Sequence, residues 1–152
     1  MKTLKVGDAA PDINSIDEDG NKVRISDFKG KKLIVFFYPK ANTPGCTAEA
    51  CNLRDNYKML QEKGYEILGV SADTESKQAS FKKKYSFPFR LLADVNKEVI
   101  HAFGVWGEKK FLGKVYDGIH RKTFVIDEKG IIERVIDKVK TKDHAAQILE
   151  EI

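Results

Sequence analysis

The only two cysteines in the 152 residues stand five positions apart, in "YPKANTPGCTAEAC" at 38–51. Sulfur at that spacing could close a permanent disulfide, hold a metal or carry thiol redox chemistry. Thr43 is a helix-cap candidate and Pro44 suits a first helical position. Cys46 then falls in the first turn, where backbone N–H groups have no partner within the helix. Those donors and the positive end of the helix dipole favour a thiolate over a thiol, which is the setting of reactive cysteines. Five residues of α-helix correspond to a rise of about 7.5 Å and a rotation of about 140°, placing the two Cα atoms roughly 8.7 Å apart. Disulfides rarely tolerate Cα separations beyond about 7 Å. Both cysteines can therefore sit in an intact helix as thiols, but joining them requires its first turns to unwind. Pro44 and Gly45 make that opening inexpensive. The arrangement suits a cycle in which Cys46 is oxidised first, the helix frays, and Cys51 attacks the oxidised sulfur.

The competing chemistries fit less well. Zinc would normally take four ligands, and only His101, His120 and His144 could supplement the cysteines; their scatter argues against a metal, and no cofactor is expected. A thioredoxin-like disulfide reductase would use Cys-x-x-Cys, which is absent. A redox-sensing or chaperone-like thiol switch could use the same pair without turnover and stays open as an alternative. With 27 basic and 23 acidic residues interspersed and a net charge of +4, the chain does not suggest a nucleic-acid binder. The run Lys82-Lys83-Lys84 reads as a solvated helix face. Neither a membrane-spanning stretch nor the apolar centre of a signal peptide is visible, which leads us to expect a cytoplasmic protein without membrane contact. In that reducing compartment, close cysteines are more often catalytic or metal-binding than a permanent staple.

The elements that must position the cysteines can be read around them. Length and apolar content suit one domain over 1–152. "NKVRISDFKG", after the turn signal "EDG", reads as a short strand or hairpin arm. "KKLIVFFYP" is a continuous apolar run ended by Pro39, suited to a central strand covered on both faces. "TPGCTAEACNLRDNYKMLQEKG" reads as one helix closing on Gly64. "YEILGVSAD" reads as a strand, "TESKQASFKKKYS" as a helix, "FRLLAD" as a short strand and "NKEVIHAFG" as helical. "HRKTFVID" and "GIIERVIDKV" form an antiparallel hairpin, followed by a terminal helix in "TKDHAAQILEEI". Ser71, Asp73 and Asp94 read as strand-end turns and caps. The order implies an α/β, thioredoxin-like fold: a central mixed sheet flanked by helices, with an N-terminal β-hairpin extension.

"FYPKANTPGCTAEACNLRD" resembles the active-site segment of peroxiredoxins, whose Pro-x-x-x-Thr/Ser-x-x-Cys signature would be Pro39, Thr43 and Cys46 here. The cysteine five residues on resembles the bacterioferritin-comigratory or Q-type subfamily. "VGDAAPD", "GVSAD", "FPFRLLAD" and "GVWGEKKFLGKVYDGIHRKTFVID" follow in that subfamily's order. The resemblance implies reduction of hydrogen peroxide and organic hydroperoxides by Cys46, with Cys51 resolving the sulfenic acid into an intramolecular disulfide. Thr43 would contact the thiolate and the peroxide, while Pro39 would shield the pocket and Gly45 and Cys46 would offer N–H groups. Arg121 would approach the thiolate, and Glu49 would orient Arg121. His120 reads as a surface or supporting residue, and Trp106 has no assigned step. Thioredoxin or glutaredoxin is the implied reductant, and a monomer the implied state.

Overall fold

In a computed structural model, which describes residues 4–149, a five-stranded sheet runs in the order β5-β4-β3-β8-β9. Its centre is β3 (Lys32–Phe37), parallel to β4 (Tyr65–Ser71) and antiparallel to β8 (Thr123–Ile126). On the edges lie β5 (Arg90–Ala93), parallel to β4, and β9 (Ile132–Ile136), antiparallel to β8. The fold is thioredoxin-like, and the sheet is mixed and flanked by helices, as expected.

The apolar run of β3 explains its central place. Alternate residues point to opposite faces of a strand. Ile34 and Phe36 enter one core with Cys46, Ala50 and Leu53 of α1 (Pro44–Asp55), Leu60 of α2 (Tyr57–Glu62) and Phe81 of α3 (Glu75–Tyr85). Leu33, Val35 and Phe37 enter the other with Val99 and Ile100 of α4 (Glu98–Ala102), Phe103 and Phe124. A strand buried on both faces needs no polar alternation, which is why the run reads as continuous. The short α5 (His144–Leu149) lies on the α1 side and contributes Ala145 and Ile148 to that core. Residues 150–152 of the expected terminal helix lie outside the described residues.

Several boundaries differ from the sequence reading. The N-terminal hairpin, β1 (Ser15–Ile16) with β2 (Lys22–Val23), is shorter than "NKVRISDFKG" suggests. Its second half forms a 3-10 turn, Ile25–Phe28, where the Asp27 carboxylate accepts the Arg24 N–H. The long helix expected from Thr43 to Gly64 breaks at Asn56, whose side-chain amide donates to the Asn52 carbonyl at 2.8 Å. That side chain takes the i−4 carbonyl that the backbone would have used. Between α4 and β8 the chain also forms a hairpin that periodicity did not reveal, β6 (Trp106–Phe111) with β7 (Lys114–Ile119). Its exposed tip, including Phe111 and Leu112, obscures the usual apolar-in, polar-out pattern. Asp94 caps α4 by accepting from Val99 and Ile100 N–H groups. Lys83 and Lys84 are exposed as expected, whereas Lys82 pairs with the buried Glu18 at 3.1 Å. Among the described residues, no helix is long and apolar enough to cross a membrane.

Candidate active site

Beyond β3 the ladder continues for one residue, with Tyr38 N–H donating to Val70 O at 3.1 Å, and the chain then turns at Pro39. The loop that follows is tied down. Asp73 Oδ2 accepts from the Ala41 N–H and from the Ser71 hydroxyl, each at 2.7 Å, and Asn42 Oδ1 accepts from the Tyr85 hydroxyl at 3.2 Å. Asn42 holds a left-handed φ of 61°, a conformation asparagine tolerates better than most residues. Ser71 and Asp73 thus form a strand-end turn, and that turn also anchors the loop carrying Pro39 and Thr43.

Thr43 occupies the N-cap position of α1 with an extended backbone, but its hydroxyl does not cap the helix. It donates to Lys40 O at 2.9 Å, which corrects the expected capping role and turns the hydroxyl hydrogen away from Cys46. The first amides of α1 are consequently left without a side-chain cap, in the place where an anion is best stabilised.

Cys46 is 1% exposed, and Cys51 is half-buried on the same unbroken helix; both are free thiols. Arg121, in the segment entering β8, brings its Nη2 to 3.3 Å from Cys46 Sγ and donates through Nη1 to Glu49 Oε1 at 2.8 Å. Residues three apart on a helix share a face, so one guanidinium meets both Cys46 and Glu49. Pairing of β8 beside β3, extended by the Phe37 N–H to Lys122 O bond at 2.9 Å, places Arg121 opposite the start of α1. Gly45 completes the fit, because a Cβ at that position would lie 3.2 Å from Arg121 Nη2.

Burial opposes the Arg121 charge, yet Cys46 and Glu49 outweigh it and hold the group above its ordinary value. Burial also pushes the Glu49 carboxyl up to about 7, against the pull of Arg121. Burial raises the Cys51 thiol as well, partly offset by Arg54. Behind Glu49 stands a residue that the sequence reading left without a role: His144 of α5, fully buried, with Nε2 at 3.5 Å from Glu49 Oε2. Burial drops His144 to about 4, so its imidazole is neutral near pH 7. No sequence motif links position 144 to position 49; only the packing of α5 on α1 brings them together.

The remaining candidates lie elsewhere. His120 Nε2 faces Glu108 O of β6 at 3.0 Å. Trp106 lies under the Lys97 ammonium, 5.1 Å from ring centre to Nζ, and beside His101. Among the described residues, the one cluster that could hold a cation, Asp17, Glu18 and Asp19, adjoins the β1–β2 turn and does not include the cysteines. Two of them are already engaged, since Asp17 accepts from Asp19 and Asn21 amides and Glu18 from Lys82 and Leu91.

Residues 6–135 match the model of the AhpC/TSA family. The chain is 49% identical over 149 residues to peroxiredoxin Bcp of Escherichia coli K12, covering 98% of this chain and 96% of that protein. The crystal structure of peroxidoxin BcpB from Mycobacterium tuberculosis is 36% identical, with a TM-score of 0.85 over 97% of this chain and 95% of the other. A bacterioferritin comigratory protein of Xanthomonas campestris, whose structures concern alkyl peroxide reduction, is 32% identical with a TM-score of 0.87, covering 97% of this chain and 94% of that one.

Proposed function

This chain belongs to the AhpC/TSA family, and we propose that Cys46 is the attacking sulfur and Cys51 the resolving sulfur of its thiol peroxidase cycle. The enzyme reduces peroxides to water or alcohol. The observation that carries the assignment is the Arg121 guanidinium, 3.3 Å from Cys46 Sγ and anchored at 2.8 Å on Glu49. A fixed cation there favours the thiolate and the negative charge that develops as the O–O bond breaks.

The Cys46 thiolate attacks one peroxide oxygen, forming the S–O bond of a sulfenic acid and expelling hydroxide or alkoxide, which takes up a proton. Backbone N–H groups of Gly45 and Cys46 orient the peroxide, while Pro39 limits access of bulk water and Thr43 lines the approach. Once α1 unwinds, the Cys51 thiol displaces the sulfenic oxygen as water and forms a Cys46–Cys51 disulfide. A dithiol reductant of thioredoxin or glutaredoxin type then opens that bond through a mixed disulfide, and both thiols return. Because both sulfurs sit on α1, a monomer suffices for the cycle.

Stopped-flow oxidation with mass analysis tests the two roles separately. Cys46→Ser is expected to abolish peroxide reduction, and Cys51→Ser to consume one equivalent, accumulate sulfenic acid and fail to recycle. Sustained turnover by either variant would remove that residue from the mechanism.

A further inference from the structure

Glu49 Oε2 is fully buried and has no hydrogen-bond partner among the described residues, although its sister oxygen is held by Arg121. The atom facing it is His144 Nε2, and the hydrogen positions on that ring follow from its surroundings. Gln147 donates through Nε2 to Lys138 O at 2.7 Å and accepts at Oε1 from Lys140 N at 3.0 Å, which fixes its amide orientation. Gln147 Oε1, 2.9 Å from His144 Nδ1, is therefore an acceptor, and Nδ1 carries the ring hydrogen. In a neutral imidazole Nε2 is then an acceptor too, served by the buried Thr123 hydroxyl at 2.8 Å. Two acceptors, Glu49 Oε2 and His144 Nε2, thus face each other at 3.5 Å with no hydrogen between them.

One proton resolves the conflict. We propose that Glu49 and His144 share a single buried proton, and that His144 is thereby a positioning residue for the reaction at Cys46. The charges agree with this assignment. A Cys46 thiolate, Arg121 and an ionised Glu49 sum to one net negative charge in a largely buried site, whereas one added proton makes the group neutral. A protonated Glu49 still accepts from Arg121 through Oε1 but no longer competes for its charge, leaving the guanidinium to balance sulfur. The positive charges of Arg121 and Arg134 oppose a histidinium at position 144, so the proton resides on Glu49, whose hydroxyl approaches Nε2 at 3.5 Å as a second, weaker donor to the one lone pair that accepts from Thr123. Burial acts in the same direction, raising Glu49 to about 7 and lowering His144 to about 4.

The inference rests on the proposed role of Cys46, but its first test needs no peroxide. The infrared difference between the reduced protein and Glu49→Gln at pH 6 is expected to show the C=O stretch of a protonated carboxyl, bleaching as pH rises through about 7. Absence of that band at pH 6 would overturn the proposal, even if Cys46 remained the attacking sulfur. His144→Gln places amide N–H donors beside Oε2 and so favours the carboxylate. It is expected to remove the band and slow Cys46 oxidation at pH 6 by about tenfold, less than the loss of a whole transition-state donor. In a Glu49→Gln background, the same change is expected to have no further effect on the rate. An equal loss in both backgrounds would mark His144 as merely structural and defeat the proposal. If His144→Gln does not fold, the infrared comparison of the reduced protein with Glu49→Gln decides alone.

Discussion

At the scale of single residues, the chemistry depends on a clearance of a few tenths of an ångström. A methyl group on residue 45 would come within 3.2 Å of Arg121 Nη2, whose partner Cys46 Sγ is only 3.3 Å away. Gly45→Ala is therefore expected to push the guanidinium off the sulfur and slow peroxide oxidation about tenfold. Because alanine is the better helix former by up to about 1 kcal/mol, the melting temperature should stay level or rise. An unchanged oxidation rate, measured by stopped flow beside the melt, would show that the guanidinium tolerates the methyl group or does not matter. The placement of Cys46 and Cys51 on one helix, with Thr43 at its N-cap position, was legible because types and spacing are local features, whereas the partner of the Thr43 hydroxyl was not. The meeting of Arg121 with Glu49 was implied only by family resemblance, since 72 positions separate them and strand pairing brings them together. The sequence offers His144 only as a candidate zinc ligand, and its meeting with Glu49 leaves no trace there. A buried histidine acquires meaning only from the unsatisfied atom it faces, and that atom belongs to another element.

At the scale of elements, α1 has to be stable enough to hold Cys46 in its reactive setting and weak enough to release Cys51. The tertiary tie nearest Cys51 is its neighbour Asn52, which accepts from Ala145 N–H at 2.8 Å and donates to Lys142 O at 3.1 Å, joining α1 to the start of α5. Each such bond contributes a net stabilisation of about 1 kcal/mol. Asn52→Ala, which loses both bonds, is therefore expected to accelerate disulfide formation by up to about thirtyfold, without changing the first oxidation of Cys46. Rapid quenching with a thiol-alkylating reagent separates the two phases. Equal resolution rates in variant and parent would show that this tie does not restrain the unwinding. The sequence reading identified α1 from its proline, its spacing and the following apolar residues. It ran the helix on through Asn56 because a side chain that replaces a backbone donor does not interrupt the apolar pattern. The β6–β7 hairpin escaped for the opposite reason: its strands are mostly exposed and bury too little to impose a period.

At the scale of the whole molecule, β3 makes the fold class legible: an apolar strand of its length has to be covered on both faces, and the alternating helices and strands that follow it supply that cover, while the strand order emerges only in the structure. The titration of its buried groups is not legible in this way, because it depends on which charged side chains become sealed together. Glu49 and His144 shift in opposite directions, with opposite consequences for stability. The Glu49 pKa is raised from 4.5 to about 7, so the folded state holds a proton that the unfolded chain releases between those values. Its contribution therefore falls as pH rises through that window. His144 is lowered from 6.5 to about 4, so the unfolded chain holds a proton that the folded state refuses, and stability rises with pH between about 4 and 6.5. Each effect integrates to about 3 kcal/mol, and because the windows overlap they largely cancel in the native protein. Removing one group should expose the other. Glu49→Gln is expected to gain stability from pH 4.5 to 6.5, while His144→Leu, which removes the imidazole without supplying donors to Glu49, is expected to lose it over the same range, each with a slope far steeper than that of the parent. Urea unfolding at a series of pH values measures all three slopes. Parallel curves would mean that neither group changes its protonation on unfolding, whatever its burial.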